Sequence, residues 1–325
     1  MAHALRLARR GLGNVWPNPA VGCVLVRDGR VVGRGWTQPG GRPHAERMAL
    51  DAAGADAAGA TAYVTLEPCA HHGRTPPCAE GLVGAGIARV VTALTDPDPR
   101  VAGRGHAMLR AAGIPLTEGV LADQAAELQA GFLLRITARR PFVTLKLASS
   151  LDGRIAMASG ESRWITGPQA RAHVHALRAQ HDAILVGGGT ARADRPHLNV
   201  RGIATPQQPV RIVLSAQALP PMPPQDADHG PLWRVEGPPD RVLADLAGRG
   251  LTRVFCEGGG RLAASLMTAG LVDQVVGYTA GLVLGAEARP FLGATGWAAL
   301  ADAPRFRLVE SRAIGGDLFH RWRRI

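Results

Sequence analysis

The chain has 325 residues and a mass of 34.0 kDa, enough for two domains at about 100–200 residues each. Hydrophobic residues make up 46% of the sequence and charged residues only 19%, a composition that excludes an intrinsically disordered chain. No apolar run reaches the roughly 18 residues that a membrane helix requires, and no apolar signal-peptide core follows the basic start. We therefore expect a cytoplasmic protein without a membrane partner.

The net charge of +11 comes from an unusual set of basic residues, because every one of them is arginine except Lys146. The arginines are scattered along the chain. Local clusters include 139–140 and 321–324, and we interpret the latter as a terminal tail. A nucleic-acid footprint concentrates on one face or helix, so we expect no nucleic-acid partner. The charge remains compatible with a small anionic substrate such as a phosphate.

The first half of the chain alternates predicted helices and strands. Helices are predicted at 2–10, 45–53, 78–85, 105–112 and 123–136, and strands at 22–27, 31–35, 61–66, 89–93 and 114–117. The turn dipeptide Asp28-Gly29 joins the first two strands into a hairpin. Strands that alternate with helices indicate a sheet covered by helices. Pro141 follows the last helix and predicts a domain boundary near residue 140.

The second half repeats this alternation without a visible sequence repeat. Strands are predicted at 142–148, 182–186, 210–214, 253–256 and 274–279, helices at 168–180 and 261–268, and a proline-rich loop at 219–225. Two strands end in three glycines, at 187–189 and 258–260. Such glycines let backbone amides approach a ligand closely, and a following helix favours a phosphate, although a plain turn is the alternative. The dinucleotide pattern Gly-x-Gly-x-x-Gly is not satisfied, which argues against a Rossmann domain.

Four cysteines are too few for a disulfide framework in a chain of this length. Cys23 and Cys256 lie in apolar runs and are interpreted as buried strand residues. His44, Cys69 and Cys78 instead provide one imidazole and two thiolates, which are suitable zinc ligands. Three protein ligands leave a fourth position for a water whose pKa zinc lowers to about 7, the arrangement of a catalytic site.

Glu46 stands two residues after His44. In zinc deaminases a glutamate so placed is not a ligand but carries protons between the water and the leaving amino group. The alternative is a closed structural zinc site with His71 or His72 as the fourth ligand, in which Glu46 has no role. The order and spacing of these residues favour the catalytic interpretation.

The general zinc-deaminase pattern is Pro-Cys-x-x-Cys, whereas eight residues separate Cys69 from Cys78 here. This spacing argues against a deaminase that acts on tRNA or free cytidine. Together with Pro17–Gly22 and His44–Glu46, the segment 67–78 resembles the deaminase half of the bifunctional riboflavin-biosynthesis deaminase/reductase family. The segments 96–99 and 102–105 are also in that family's style.

This resemblance implies a cytidine-deaminase-like three-layer domain whose substrate is a phosphorylated pyrimidinone riboside. It also implies that Asn18 contacts the base. The chain departs from the family at Val15, where a hydroxyl residue is common.

Segments 144–154, 160–166, 188–198 and 254–260 resemble the reductase half of the same family. The resemblance, which runs from about residue 3 to about residue 290, implies a dihydrofolate-reductase-like α/β domain. It implies that NADPH reduces the ribosyl group to a ribityl chain. The implied NADPH contacts are Ala148, Trp164, Thr190, Asp194, Ser215 and the loop Gly259, Gly260, Arg261, Leu262, Ala263, Ala264 and Ser265. The implied substrate contacts are Ser162, Arg178, Leu198, Arg201 and Glu257.

Several of these residues have simpler interpretations. Trp164 is compatible with a core position, and Arg178 and Arg201 with surface charge. Lys146 lies on the strand face that it shares with Thr144 and Ala148, where it is either a surface residue or a specific donor. An arginine-rich chain that keeps one lysine favours the second interpretation, because a compact ammonium differs from a planar guanidinium. Lys146, Asp194 and Glu257 are the polar candidates for orienting the substrate and handling protons in catalysis.

The sequence thus predicts an α/β enzyme with a zinc-dependent pyrimidine deaminase domain at 1–140 and an NADPH-dependent reductase domain at 141–325. We expect a homo-oligomer, although the sequence does not give the oligomeric state. One alternative is a nucleic-acid base deaminase with an accessory domain, which predicts a clustered basic face and a short Cys-x-x-Cys. Another is a non-enzymatic nucleotide-binding module with a structural zinc, which predicts no ammonia release.

Overall fold

The computed structural model describes residues 1–72, 76–99 and 101–325. The chain divides into two compact units, Met1–Arg139 and Arg140–Ile325, each with its own sheet. Among the described helices, none combines the length and the apolar character needed to cross a membrane.

The first unit alternates helices and strands. Its helices are Ala2–Ala8 (α1), Ala45–Ala53 (α2), Cys78–Gly84 (α3), Arg104–Ala111 (α4) and Ala122–Thr137 (α5). Its strands are Gly22–Arg27 (β1), Arg30–Trp36 (β2), Thr61–Val64 (β3), Arg89–Thr92 (β4) and Leu116–Thr117 (β5). Short 3₁₀ turns cover Arg9–Gly11, Pro39–Gly41 and Gly54–Ala57.

These strands form one sheet in the order β2-β1-β3-β4-β5. The pairs β1/β2 and β1/β3 are antiparallel, and β3/β4 and β4/β5 are parallel. Strand alternation sends Cys23 and Leu25 into the core under α2 and α3, and Val24 to the opposite face against α1. The sheet therefore has helices on both faces and forms the middle of three layers.

Glycine brings α2 unusually close to the sheet. A Cβ on Gly35 of β2 would overlap the carbonyl oxygen of Ala45 at the start of α2. Gly33 has the same relation to Ala49 one turn later. The first turn of α2 therefore lies directly against β2, and this contact fixes the position of the residues at its N-terminus.

The second unit is built around a larger sheet. Its helices are Pro168–Arg178 (α6), Gly188–Asp194 (α7), Pro239–Gly248 (α8) and Gly260–Thr268 (α9). Its strands are Phe142–Ser150 (β6), Arg154–Ala156 (β7), Ala183–Gly187 (β8), Val210–Leu214 (β9), Leu232–Val235 (β10), Arg253–Cys256 (β11), Gln274–Ala280 (β12), Arg289–Pro290 (β13), Phe306–Ile314 (β14) and Asp317–Arg324 (β15).

The main sheet has the order β10-β9-β8-β11-β6-β12-β15-β14, and β13 and β7 form a separate antiparallel pair. All neighbours from β10 to β12 are parallel, whereas β15 is antiparallel to both β12 and β14. The carboxyl ends of β6, β8 and β11 therefore meet at one edge of the sheet. The ends of parallel strands in open α/β sheets are where ligands bind.

The structure corrects several predicted elements. The glycines after β8 begin a helix, α7, rather than a turn. The segment 321–324, interpreted as a terminal tail, belongs to β15 and pairs with both β12 and β14. The sequence prediction also omitted β7, β10, α8, β13 and β14. Strand β14 has six exposed positions, at 307–309 and 311–313, and lacks the apolar run on which the prediction relied.

Candidate functional site

The three predicted metal ligands lie together in the first unit. The ligand atoms of His44, Cys69 and Cys78 are all within 4.8 Å of one another. His44 Nδ1 is 3.3 Å from Cys78 Sγ and 3.7 Å from Cys69 Sγ. Zinc bonds of about 2.3 Å to sulfur and about 2.0–2.1 Å to nitrogen require a nitrogen–sulfur separation of about 3.6 Å in a tetrahedral site. The donor set and its spacing therefore fit zinc.

Two of the three ligands lie at helix N-termini. His44 precedes the first residue of α2, and Cys78 is the first residue of α3. Cys69 lies after β3, and the backbone amide of Cys78 donates a hydrogen bond of 3.3 Å to its sulfur. A hydrogen bond from the Cys78 thiol lowers the pKa of Cys69 to about 4, and the same contact together with burial raises the pKa of Cys78. The pair thus already favours a thiolate, the form that binds metal.

Glu46 lies on the first turn of α2 beside this group and is only 4% exposed. Burial raises its pKa to about 7, and the neighbouring Cys69 acts in the same direction. A buried carboxyl beside a metal group can both accept and release a proton. Its position is that expected of a proton carrier.

A fourth protein ligand is not found among the described residues, because the metal-ligating group contains only His44, Cys69 and Cys78. The side chain of His72 is 74% exposed and pairs with Glu80 at 3.0 Å. His71 lines the neighbouring cavity but is not in the group. This arrangement favours an open fourth position over the closed structural site.

A cavity of about 310 Å³ adjoins the metal group and contains Asn18, His44, Glu46 and Cys69 in its wall. The position of Asn18 depends on Gly41, whose φ is +83°. A Cβ on Gly41 would overlap the Asn18 side chain. Val15, where the chain departs from the family pattern, is buried in a small apolar cluster and is not part of this wall.

Glu67 was quoted in the motif without a role, and the structure assigns it one. Its buried carboxylate accepts backbone hydrogen bonds from Asp96 at 3.1 Å, Gly103 at 2.9 Å, Gly105 at 2.9 Å and His106 at 3.2 Å. The carboxylate thereby ties the segment after β4 to the residue two positions before Cys69. The motif 96–99 was the sequence signal that pointed to this segment. In the structure, Asp96 and Asp98 of this motif also line the cavity.

In the second unit, a cavity of about 680 Å³ lies at the carboxyl ends of the parallel strands. Arg178 donates two hydrogen bonds to the Glu257 carboxylate, at 2.5 Å and 3.0 Å. Lys146 Nζ is 4.0 Å from the same carboxylate. Burial lowers the pKa of Lys146, and the neighbouring Glu257 carboxylate partly offsets this shift. Burial by itself would raise the pKa of Glu257, but the charge and hydrogen bonds of Arg178 outweigh it, so the pKa of Glu257 is lowered. Lys146 thus faces a cavity and a carboxylate rather than bulk solvent.

A second cavity of about 920 Å³ is lined by the glycines at the ends of β8 and β11. Thr190 Oγ1 accepts a hydrogen bond of 3.1 Å from the amide of Gly259, which joins the two glycine segments. A Cβ on Gly258 would lie 2.9 Å from the amide nitrogen of Gly187. The absence of side chains here leaves backbone amides and the N-terminus of α9 available to a phosphate-bearing ligand.

The structure brings most predicted reductase residues to these two cavities. Those lining the first are Lys146, Ala148, Ser162, Trp164, Arg178, Thr190, Asp194, Leu198, Arg201, Glu257 and Gly259. Those lining the second include Ser162, Thr190, Asp194, Gly259, Gly260, Arg261, Leu262 and Ser265. Trp164 is 67% exposed, so the core interpretation of this residue is wrong.

Three predicted NADPH contacts stand apart from the cavity walls. Ala263 and Ala264 are 0% and 4% exposed, and their side chains belong to the core under α9. Ser215 is also buried, with Oγ 3.4 Å from a guanidinium nitrogen of Arg192, which itself lines the larger cavity. Any cofactor contact through the two alanines must use their backbone.

Sequence reasoning missed several residues that line the cavities. In the first unit these include Phe132 and Arg135 of α5. In the second unit they include Arg171, Arg195 and His197. Arg171 lies over the Trp164 ring at 4.5 Å from its centroid. In a chain with so many arginines, no spacing pattern distinguished these residues from solvated surface charge.

Fold and sites together define a two-unit enzyme that combines a deaminase-type zinc centre with a reductase cavity. The family described as the RibD C-terminal domain matches residues 141–320. The family described as the cytidine and deoxycytidylate deaminase zinc-binding region matches residues 1–94. The chain is 44% identical to the riboflavin biosynthesis protein RibD of Haemophilus influenzae over 352 residues, which cover 98% of this chain and 95% of that relative. The chain belongs to the RibD family of riboflavin biosynthesis proteins.

Two solved structures extend this similarity to the whole fold. Acinetobacter baumannii RibD has a TM-score of 0.91 and 41% identity, covering 100% of this chain and 97% of that one. A Thermotoga maritima structure has a TM-score of 0.87 and 34% identity, with the same coverage. That protein is described as a diaminohydroxyphosphoribosylaminopyrimidine deaminase/5-amino-6-(5-phosphoribosylamino)uracil reductase. The predicted family is confirmed, as is the predicted fold class of a cytidine-deaminase-like unit followed by a dihydrofolate-reductase-like unit.

Proposed function

We propose that this chain catalyses two consecutive steps of riboflavin biosynthesis. The first is hydrolytic deamination of a diaminopyrimidinone ribosylamino phosphate, and the second is NADPH-dependent reduction of its ribosyl group to ribityl. The observation that carries the proposal is the presence of two chemically different sites in one chain. One combines His44, Cys69 and Cys78 with the buried Glu46, and the other combines Lys146 with Glu257.

The deaminase site would hold zinc through His44, Cys69 and Cys78. Bound zinc supplies a water of lowered pKa as the nucleophile at the ring carbon that carries the amine. Glu46 would accept a proton from this water and deliver one to the departing amine, so that ammonia leaves and a carbonyl remains. Asn18, held beside Gly41, would orient the pyrimidine ring in the adjoining cavity.

The reductase site would hold NADPH along the glycine-lined cavity, where Thr190 joins the two glycine segments. Bound NADPH supplies a hydride equivalent, which reduces the anomeric carbon of the ribosyl group in its ring-opened imine form. The imine nitrogen must gain a proton in the same step. Lys146, Asp194 and Glu257 are the polar groups proposed to orient the substrate and to move this proton, and Arg178 holds the Glu257 carboxylate in place.

The remaining partners of the enzyme follow from this chemistry. Free thiols and a pyridine nucleotide are typical of a reducing compartment, so we propose that the enzyme acts in the cytoplasm. A homo-oligomer stays a prediction, which light scattering of the purified protein would measure. A phosphorylated small substrate also gives the cationic lining of the reductase cavity of about 680 Å³ a purpose without a nucleic-acid partner.

The test is an assay of the purified protein with the diaminopyrimidinone ribosylamino phosphate. Ammonia release and the loss of NADPH absorbance are followed in the same reaction, with omission of NADPH as the control. We expect ammonia with or without NADPH, and NADPH oxidation only after deamination. A nucleic-acid base deaminase would leave this substrate unchanged, and a non-enzymatic module would release no ammonia and oxidise no NADPH.

A further inference from the structure

A chain of three side chains reaches the rim of the reductase cavity from a loop outside it. The Asp226 carboxylate is 2.7 Å from Nδ1 of His229, and Nε2 of His229 is 2.9 Å from Nδ1 of His197. The two imidazole rings are stacked with centroids 5.1 Å apart. His197 lines the cavity, whereas Asp226 and His229 belong to the segment between β9 and β10. We name these three residues the imidazole relay.

The relay fixes the order of protons between its members. A carboxylate only accepts hydrogen bonds, so Nδ1 of His229 carries the proton that Asp226 receives. Nε2 of a neutral His229 then accepts from the Nδ1–H of His197. Among the residues that the structure describes, Nε2 of His197 is the one ring nitrogen of the relay without a hydrogen-bond partner. When His197 gains a proton at Nε2, the charge is shared along hydrogen bonds that end on a carboxylate.

The loop that carries His197 is held firmly from several sides. The Asn199 side chain donates to the carbonyl of Asp228 at 2.9 Å, and the Val200 amide donates to the Gln208 side chain at 2.7 Å. Leu198 has a φ of +54°, a left-handed conformation that a leucine adopts only when its surroundings impose it. The loop therefore presents its side chains to the cavity in a defined arrangement.

Positive charge on the same loop surrounds His197. Arg195 and Arg201 line the cavity with it. Within the described ranges, neither guanidinium makes an ion pair or a side-chain hydrogen bond, unlike Arg178, which is bound to Glu257. Two uncommitted guanidiniums and an imidazole within seven residues form a rim suited to an anion with several oxygen atoms.

We propose that His197 is a further substrate-binding residue of the reductase cavity, and that it donates to the substrate phosphate as an imidazolium supported by the relay. The proposal rests on the proposed function, because that function supplies the ribosyl phosphate. Asp226 and His229 are positioning residues, since they act through His197. The consequence is that phosphate binding at this rim takes up a proton.

The charges around His197 give the direction of this effect. Without ligand, partial burial lowers the pKa of His197, and the charges of Arg201 and Arg211 act in the same direction. Arg195 and Asp194 are the other charged groups of the rim. A bound phosphate dianion in contact with the imidazole adds an opposite charge, which favours the charged form and so raises the pKa of His197. Phosphate binding near neutral pH therefore shifts His197 toward its protonated form.

Calorimetric titration of the full-length protein with ribose 5-phosphate tests this directly. Titrations at about pH 7 in two buffers of different ionisation enthalpy give the protons taken up per phosphate bound, at a pH where a phosphomonoester is already mostly a dianion. We expect wild type to take up several tenths of a proton. His197→Asn should bind roughly tenfold more weakly, the loss of one charge-assisted hydrogen bond, and should lose this uptake. Asp226→Asn keeps a side-chain oxygen for the turn amides but removes the charge, and should reduce both affinity and uptake.

His3→Asn, at an exposed position of the first unit, is the matched control and should behave as wild type. Equal affinity and equal proton uptake in wild type, His197→Asn and Asp226→Asn would overturn the relay while leaving the two-step function intact. Weaker binding by His197→Asn with unchanged proton uptake would overturn the imidazolium role. A wild-type protein that does not bind ribose 5-phosphate would contradict the phosphate rim and the proposed substrate class together.

Discussion

At the metal group each of the three side chains contributes one donor atom, so a single substitution removes one of the three protein ligands. His44 and Cys78 lie at helix N-termini, and Cys69 follows a strand. Their side chains meet because the sheet and its helices bring these three segments together. The choice of sulfur matters, because a neutral hydroxyl is a poor replacement for a thiolate on zinc.

Replacement of either sulfur should abolish the metal site. We expect Cys69→Ser and Cys78→Ser to lose zinc and deaminase activity, as measured by metal analysis of the purified variants and by ammonia release. Cys256→Ser changes a buried cysteine of the other unit and should keep its zinc. Full zinc occupancy in both Cys69→Ser and Cys78→Ser would refute the ligand assignment.

The metal residues and Glu46 could be predicted from the sequence because residue type, order and spacing together are specific. Lys146 could be singled out because composition made it unique. Glu67 and His197 could not be assigned a role. The function of Glu67 depends on backbone amides about 30–40 positions later, and that of His197 on a loop between two later strands. Contacts of this kind follow from tertiary structure rather than from local pattern.

At the scale of elements, the glycine-rich strand ends have two different purposes. A Cβ on Gly188 would overlap Ser215 Oγ and lie 2.7 Å from Ser215 Cβ, whereas a Cβ on the adjacent Gly189 would meet nothing within 4 Å. Gly188 therefore permits close packing of α7 against the end of β9. Gly189 contributes no such packing, although it lines the same cavity.

These neighbours provide a matched pair of variants. Gly188→Ala should lower the free energy of unfolding by about 1–3 kcal/mol, the usual cost of overpacking. Gly189→Ala lies inside a helix and should leave stability unchanged or raise it by about 0.5–1 kcal/mol. Urea unfolding of the two variants beside wild type makes the comparison. Equal losses in both would mean that helix geometry, not contact with Ser215, makes glycine necessary here.

The strands and helices with strong apolar patterns were predicted well, including β1, β8, β11 and α9. Prediction failed for elements that are stabilised by their neighbours in the fold and lack an apolar sequence pattern of their own. Strand β15 carries a run of arginines and aromatic residues, yet it pairs along its whole length with β12 and β14. Helix α7 begins with two glycines, which disfavour a helix locally. Sheet partners and packing override local preference in these cases.

At the scale of the whole molecule, the buried His181 makes the free energy of unfolding depend on pH. His181 is 4% exposed, with Nδ1 2.7 Å from the carbonyl of Leu177 and Nε2 2.9 Å from the hydroxyl of Thr144. Burial lowers its pKa from 6.5 to about 3. The unfolded state therefore binds a proton below pH 6.5 that the folded state excludes, and stability falls as the pH falls.

His181 alone should reduce the free energy of unfolding by about 2 kcal/mol between about pH 7.5 and pH 5, at about 1.4 kcal/mol per pH unit below the unfolded pKa. His181→Gln keeps a hydrogen-bond donor and an acceptor but does not titrate. Between these two pH values, the free energy of unfolding of the variant should therefore fall by about 2 kcal/mol less than that of wild type. Urea unfolding at the two pH values measures the difference, with the exposed His72→Gln as control. The same pH dependence in His181→Gln and wild type would show that this residue is not the acid-sensitive group.

The proposed function places two activities at separate sites in one chain, and Glu46→Gln and Lys146→Arg separate these sites when both reactions are measured on each variant. Glu46→Gln should keep zinc and lose ammonia release by a factor of about 10²–10⁴, the contribution of a positioned proton carrier. It should still reduce the deaminated intermediate with NADPH. Lys146→Arg should slow that reduction at least about tenfold, or roughly 1.4 kcal/mol of barrier, with ammonia release unchanged. If either substitution lowered both rates together, the assignment of two independent sites would be contradicted.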